Sequence, residues 1–400
     1  MSFDSLWSAV EQVGRHPGTG GYRRYAWTPE DATLGEWFAG EATARGFDVT
    51  TDRVGNQWAW WGDPDKGVAA GRPGVVLGSH LDSVPDGGAF DGPLGVISAF
   101  AALDELRRAG FVPSRPVGVM RFVDEEGARF GVACAGSRLL TGTLAPGRAL
   151  GLKDADGVSM AEAMTEAGLD VGHVGTDVEA LGRVGTFVEL HVEQGRGLID
   201  LGRAVAVASS IWPHGRWRLE LDGEANHAGT TQLADRDDPT LVLAELIRTA
   251  RHAAHEHNCL ATVGKLRVEP NGVNAIASRV TAWLDARGPA VDSVRAVAGA
   301  VEAAAGTAAA EESFTDETIF DAALRDRLVR VLGDAPVLPT GAGHDAGILA
   351  TAGVPTALLF VRNPTGVSHS PAEFAERDDC LGGVAALAAV VRELAGPGAR

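Results

Sequence analysis

Gly74-Val75-Val76-Leu77-Gly78-Ser79-His80-Leu81-Asp82 runs an apolar segment straight into an imidazole and a carboxylate. Three further stretches do the same. They are Val117-Gly118-Val119-Met120-Arg121-Phe122-Val123-Asp124-Glu125-Glu126, Thr186-Phe187-Val188-Glu189-Leu190-His191, and Thr356-Ala357-Leu358-Leu359-Phe360-Val361 leading on to His369. Short apolar runs mark strands buried on both faces of a parallel sheet. In open α/β sheets ligands bind at the carboxyl ends of such strands. One His at a strand end says little; four strands delivering His, Asp, Glu, His and His to one edge predict a metal-dependent hydrolase.

The surrounding pattern supports that sheet. From about residue 30 to 205 strand-like and helix-like segments alternate, as in the apolar run Leu94-Gly95-Val96-Ile97-Ser98-Ala99-Phe100 between two strands. Near Ser209-Ser210-Ile211-Trp212-Pro213 the character changes. Trp217-Arg218-Leu219-Glu220-Leu221 alternates as a half-buried strand, and Asp238-Pro239 opens a helix as cap and first residue. Strands are predicted over 260–268 and 279–286, then a helix marked by Val291, Val294, Val297 and Val301, then a last strand over 313–318. The Ala/Gly-rich residues 296–310 read as helix. The order β-α-β-β-α-β is the ferredoxin-like unit. The fold class predicted is therefore α/β: a mostly parallel catalytic domain, residues 1–208 and 319–400, interrupted by an inserted α+β domain, residues 209–318.

Composition narrows the function. The chain has 400 residues, 45% of them hydrophobic, which is ample for more than one core. Its formal net charge of −18 argues against nucleic acid and anionic membrane as partners. The start, Met1-Ser2-Phe3-Asp4-Ser5-Leu6, lacks a basic and an apolar region, so no secretory signal is expected. No apolar run approaches a transmembrane span. Three scattered cysteines, Cys134, Cys259 and Cys380, do not form a disulfide framework, and a cytoplasmic location is expected.

In His80-x-Asp82 both side chains lie on one face of an extended segment. A ligating His commonly hands its second N–H to a carboxylate, so His80 reads as ligand and Asp82 as its orienting partner. Asp91 returns a carboxylate at the mouth of the next helix; alone it would be the cap of a Gly-rich turn. In Asp124-Glu125-Glu126, adjacent glutamates can supply one ligand and one general base. His191 and His369 would otherwise be a structural and a helix-capping histidine. His344 reads as a neighbour of the ligands or a spare one. His252, His255 and His257 read as solvated.

Taken in order, the motifs resemble the amidase/hydantoinase–carbamoylase family of dinuclear metal hydrolases. They are Gly78-Ser79-His80-Leu81-Asp82 through Phe90-Asp91-Gly92, Glu125-Glu126-Gly127, Glu189-Leu190-His191-Val192-Glu193-Gln194-Gly195, Ala225-Asn226-His227-Ala228-Gly229, Gly341-Ala342-Gly343-His344-Asp345 and Ser368-His369-Ser370-Pro371. The resemblance implies His80, Asp91, Glu126, His191 and His369 as ligands of two divalent metals, zinc first and manganese, cobalt or nickel as alternatives, with Asp91 bridging. It implies Glu125 as the general base acting on a water activated by the metals, and His227 as the stabiliser of the oxyanion. Gln194, Asn274 and Arg287 would contact a small substrate bearing a carboxylate. A homodimer built through the inserted domain, acting as lid and dimerisation module, is implied as well. The implied reaction is cleavage of a C–N bond in an N-carbamoyl, ureido or related N-acyl amino acid. An aminoacylase or exopeptidase of the same superfamily is the nearest rival, and His191 speaks against it; a catalytically dead binding protein is the rival of another class. Arg362 departs from the pattern. It is predicted at the site's rim, where it reads either as a solvent-facing side chain or as a second anion contact, the latter favouring acidic substrates such as N-formyl- or N-carbamoyl-glutamate.

Overall fold

The structure is a computed structural model that describes residues 2–397. The chain divides into two compact units, Met1–Ser209 with Ile319–Arg400, and Ser210–Thr318.

The first unit is built on a mixed, mostly parallel sheet. Gly74–His80 lies parallel to Val117–Phe122 on one side and to Val184–Val192 on the other, and Thr356–Val361 extends the parallel set beyond Val184–Val192. Antiparallel strands flank it: Gln57–Trp61 beside Val117–Phe122, and Val205–Ile211 beside Thr356–Val361. Every residue of Gly74–His80, Val117–Phe122 and Thr356–Val361 is buried. Both faces are covered, which explains why these strands are continuous apolar runs rather than alternating ones.

One connection fixes the site. Helix Pro93–Arg108 begins with Pro at its first position and ends on Arg107 and Arg108, the residues that suit the two ends of a helix dipole. Its apolar residues are buried nearly all round because it packs against the sheet on one side and helix Arg377–Ala395 on the other. Leu77, Leu94, Phe100, Leu190 and Leu387 belong to this core; each such side chain contributes about 1.5–3 kcal/mol on burial. The helix is preceded by Gly92 with φ of +83°. A Cβ there would come within 2.5 Å of the His80 ring. Only glycine lets the Asp91 loop close over His80 in this conformation.

The second unit holds a four-stranded antiparallel sheet. The strand order is Ala310–Thr315, His214–Asp222, Arg279–Arg287, Leu260–Glu269. Helices Pro239–Glu256 and Val291–Ala305 pack on it around Leu219, Leu246, Val280, Leu284, Val294 and Val297. The chain order is β-α-β-β-α-β. Two details differ from the sequence-based expectation. The helix expected through residue 310 stops at Ala305, because Gly306 takes the left-handed cap. The last strand, expected over 313–318, begins earlier, at Ala310, and ends at Thr315.

Candidate metal centre

His80 is the last residue of its strand, and Asp82 follows it. Asp91 stands in the loop before Pro93, and Glu125 and Glu126 follow strand Val117–Phe122 after Val123 and Asp124. His191 is in strand Val184–Val192, His344 sits just before helix Asp345–Thr351, and His369 lies in the loop after strand Thr356–Val361. Parallel pairing of these strands brings their carboxyl ends to one edge.

Asp91 is the hub. Its Oδ1 lies 3.3 Å from His80 Nε2 and 3.1 Å from His191 Nε2. Its Oδ2 lies 3.5 Å from His369 Nε2, which is itself 3.5 Å from Glu126 Oε2. Two groups of candidate ligands result, His80–Asp91–His191 and Asp91–Glu126–His369, with Asp91 in both. All five residues expected as ligands are thus brought together.

The donor chemistry suits a cation. His80 Nδ1 faces the carbonyl of Asp82 at 3.1 Å, and His191 Nδ1 faces the carbonyl of Val192 at 2.9 Å. Each Nδ1 therefore carries the proton in the neutral ring, which leaves Nε2 as a lone-pair donor. In the neutral rings both lone pairs point at a carboxylate oxygen, an arrangement that is repulsive unless a proton or a metal cation lies between. His80 Nε2 is buried with no hydrogen-bond partner. Divalent metals fit this set of imidazoles and carboxylates.

Asp82 does more than expected. Its Oδ1 lies 3.4 Å from His80 Nδ1, while its two oxygens accept from the backbone N–H groups of Glu125 and Glu126, at 3.2 and 3.0 Å. It ties the His80 strand end to the glutamate turn. A third cluster, Glu189–His191–His344, has acceptors already engaged: Glu189 takes Ser79 Oγ at 2.7 Å and the N–H of Ala346 at 2.9 Å. His344 stacks edge-on against His191 with centroids 4.5 Å apart. Burial and the neighbouring His191 hold it well below the usual imidazole range, so it is a neutral wall of the centre.

Charge is arranged for proton handling. Burial pushes the Glu125 carboxyl well up, against the pull of His80. Burial and Asp91 push Glu126 up to about 7. Burial also pushes Asp91 upward, but His191, His369 and His80 outweigh it and hold Asp91 well below the carboxylate range. His369 is raised to about 9, chiefly by its contact with Asp91. A metal must displace the protons these histidines hold. Metal binding at pH 8, below about 9 for His369, is therefore expected to release protons, and affinity should fall as pH falls. Calorimetry in two buffers of different ionisation enthalpy reads the release directly; equal heats in both would refute it.

Other expected residues fall differently. Gln194, expected as a substrate contact, donates from Nε2 to Asp91 Oδ2 at 2.8 Å and lies 3.3 Å from His369 Nε2, so here it braces the ligands. Arg362, expected at the rim, gives Nε and Nη2 to buried Asp379 at 2.8 and 2.9 Å. Its planar fork is spent on a carboxylate of helix Arg377–Ala395, which corrects its reading as a second anion contact and removes the motive for an acidic substrate. In the second unit His227 is exposed on a short ribbon in which it pairs with Ala275, and the carbonyl of Asn274 accepts the N–H of Ala228. His227 Nδ1 accepts from the N–H of Gly229 at 3.0 Å, which leaves Nε2 as the proton-bearing atom in the neutral ring. Arg287 pairs with Asp285 through Nε and Nη2.

Sequence reasoning missed Cys134, whose thiol donates to Glu125 Oε1 at 3.3 Å, and Glu373, whose carboxylate accepts from the N–H of Asp91 at 2.9 Å. Glu373 carried a faint signal: an acid four residues beyond a candidate ligand, in the same loop.

A parallel sheet that gathers three histidines around a shared aspartate, with a buried glutamate beside them, is the framework of a metal-dependent amidohydrolase. Comparison with known proteins agrees. The family model "Peptidase family M20/M25/M40" matches residues 76–393. An N-carbamoyl-L-amino acid amidohydrolase of Geobacillus stearothermophilus is 36% identical over 98% of both chains. An allantoate amidohydrolase of Escherichia coli is 30% identical over 96% of both. The crystal structure of an amidase of the hydantoinase/carbamoylase family from Burkholderia vietnamiensis superposes with a TM-score of 0.86 at 29% identity, over 99% of this chain and 98% of that one. The chain belongs to peptidase family M20/M25/M40, among its hydantoinase/carbamoylase amidases.

Proposed function

We propose that this chain hydrolyses the C–N bond of an N-carbamoyl, ureido or related N-acyl group borne by an amino-acid-like carboxylate. The observation that carries the reading is Asp91 shared between His80, His191 and His369, with Glu125 buried alongside. The names of the relatives support the substrate class. His80, Asp91, His191, Glu126 and His369 would hold two divalent ions, zinc by preference. When bound, the ions would polarise the scissile carbonyl and acidify a water.

The protein's own part is proton traffic and placement. Glu125 Oε2 lies 3.8 Å from His80 Nε2, beside the ligand atoms, while Cys134 holds Oε1. Glu125 accepts the proton of the attacking water and returns it to the leaving nitrogen. His227 would donate from Nε2 to the developing oxyanion. Asn274 and Arg287 would hold the substrate carboxylate; Asp285, the partner of Arg287, is reached by solvent and can be hydrated when the guanidinium turns to substrate, unlike the buried Asp379 that holds Arg362. For a carbamoyl substrate the balance is R–NH–CO–NH2 plus water giving R–NH2, carbon dioxide and ammonia.

The test is a hydrolysis panel of N-carbamoyl, N-acetyl, N-formyl and dipeptide substrates together with allantoate, run on apoprotein reloaded with each metal. Turnover of dipeptides or N-acetyl amino acids ahead of carbamoyl and ureido compounds would overturn the assignment in favour of a peptidase or aminoacylase.

The second unit is read as the dimerisation module. Leu260–Glu269 is a ten-residue strand at the edge of its sheet, largely exposed, and Leu260, Leu266, Leu241 and Ile247 are exposed in that unit. A long edge strand is a template for pairing with a second copy. Sedimentation should show a dimer, and Leu241→Glu with Leu266→Glu should shift it to monomer. A wild type that sediments as a monomer at micromolar concentration would sink this reading. No helix of the described residues is long and apolar enough to cross a membrane. The three cysteines are free and buried, which fits a reducing cytoplasm.

A further inference from the structure

We propose that Glu373 is the positioning residue that locks the Asp91 loop to the His369 loop, so that one buried carboxylate sets the spacing of the metal centre. The inference rests on the reading of Asp91 and His369 as ligands.

Glu373 lies between strand Thr356–Val361 and helix Arg377–Ala395 and is 5% exposed. Its Oε1 accepts from the backbone N–H groups of both Phe90 and Asp91, each at 2.9 Å. Its Oε2 is 2.9 Å from Ser368 Oγ, the hydroxyl of the residue before His369, and that hydroxyl is also 3.1 Å from Asp91 Oδ2. The segment ahead of Asp91 wraps the carboxyl so closely that a Cβ on Gly88 would overlap it. Three contacts thus join two loops that lie more than 270 residues apart in sequence, and the Ser368–Glu373 contact braces one of them internally.

The join is needed because the His369 loop does not hold its shape by local preference. His369 has φ of +55°, the left-handed region. For a residue other than glycine that conformation is unfavourable and persists only where surrounding contacts determine it. Asn363 fixes the start of the loop, accepting from Thr365 and Gly366 and donating to the carbonyl of Val367. Glu373 fixes its end and attaches it to Asp91. Without Glu373, the buried N–H of Asp91 and the half-buried N–H of Phe90 lose their acceptor.

The hydrogen-bond count makes the proposal specific. A serine hydroxyl has one proton, so Ser368 can donate to Asp91 or to Glu373, not to both. In Glu373→Gln the amide oxygen would keep the two backbone N–H groups. Its NH2 would donate to Ser368, whose own proton then goes to Asp91. In Glu373→Asp the charge stays but the shorter side chain cannot span both loops.

Apoprotein of the wild type and of the Asp, Gln and Ala variants is titrated with zinc against a chromophoric chelator, and melting is recorded with and without metal. Glu373→Gln should bind zinc as the wild type does. Glu373→Asp and Glu373→Ala should bind about 10–100-fold more weakly, the loss typical of groups that orient ligands, and should gain less in Tm on loading. Rescue by Gln but not by Asp is what a purely electrostatic role could not give. Wild-type affinity in Glu373→Asp, or equal weakness in Gln and Asp, overturns the inference. If the Asp and Ala variants do not fold, the isosteric Gln variant decides: weakened binding overturns the inference and wild-type binding supports it. A wild type that binds no zinc refutes the metal-centre reading instead, so the two failures are distinguishable.

Discussion

Glu125→Gln is expected to keep both metals and lose about 10²–10⁴-fold in kcat, the usual worth of a general base. The substitution is nearly isosteric, and Glu125 is buried. Cys134 can still donate to the amide oxygen as it does to Oε1. No ligand in either candidate group is removed, since Glu126 and not Glu125 stands with Asp91 and His369. What disappears is the only feature an amide cannot reproduce, an oxygen that takes up a proton and gives it back. KM should change little, because Glu125 is not placed to bind the substrate carboxylate. The pH profile supplies a second reading. A base works ionised, so wild-type activity should fall as pH falls through the pKa of Glu125. Burial places that limb above the ordinary carboxylate range, while His80, and any cation beside it, draws it back down. The residual activity of the variant should lack this limb. Turnover above about a tenth of wild type would remove Glu125 from the role, against the loss a general base implies.

The parts legible in sequence were those set by local pattern. A strand covered on both faces must be apolar throughout, and a strand end at a sheet's active edge can carry polar residues without burying them unpaired. His80, Glu126 and His191 therefore announce themselves by position. The alternation in Trp217-Arg218-Leu219-Glu220-Leu221 likewise marks a strand with one wet face, and the strand burial there alternates. What sequence did not show was set by contacts between distant segments. Arg362 looked like a cation at the rim because its partner, Asp379, is 17 residues on, across the turn into another helix. Gln194 looked free to meet a substrate because the oxygen it holds belongs to Asp91, 103 residues earlier. The thiol of Cys134 has nothing local to betray its aim, and the nearness of Glu373 to His369 in sequence does not show that its carboxylate reaches Phe90 and Asp91. The early end of the helix before residue 310 has a different cause. In this Ala-rich run one of two glycines, Gly299 and Gly306, is the stop, and composition cannot say which.

Asp91→Ala should lose the metals rather than merely slow the reaction. Asp91 is the only residue common to both candidate ligand groups made of expected ligands, so its removal takes one ligand from each ion. It also removes the negative charge that His80, His191 and His369 all face, leaving three imidazoles directed at a site with less compensation. Elemental analysis after dialysis should show two ions per chain in wild type and a deficit at both positions in the variant. Activity should be lost with them. Two retained ions would remove Asp91 from the bridge. The metal-free forms offer an independent check with its sign fixed. Contact with Asp91 is the chief cause of the raised His369, at about 9. A histidine raised on folding adds stability that is fully present below its unfolded value near 6.5 and is lost as pH rises through about 9. Without Asp91 the His369 resonance should titrate lower, and the stability of apoprotein should depend less on pH between these values. An unchanged titration would show that Glu126 and Glu373, the other carboxylates near His369, hold its proton instead.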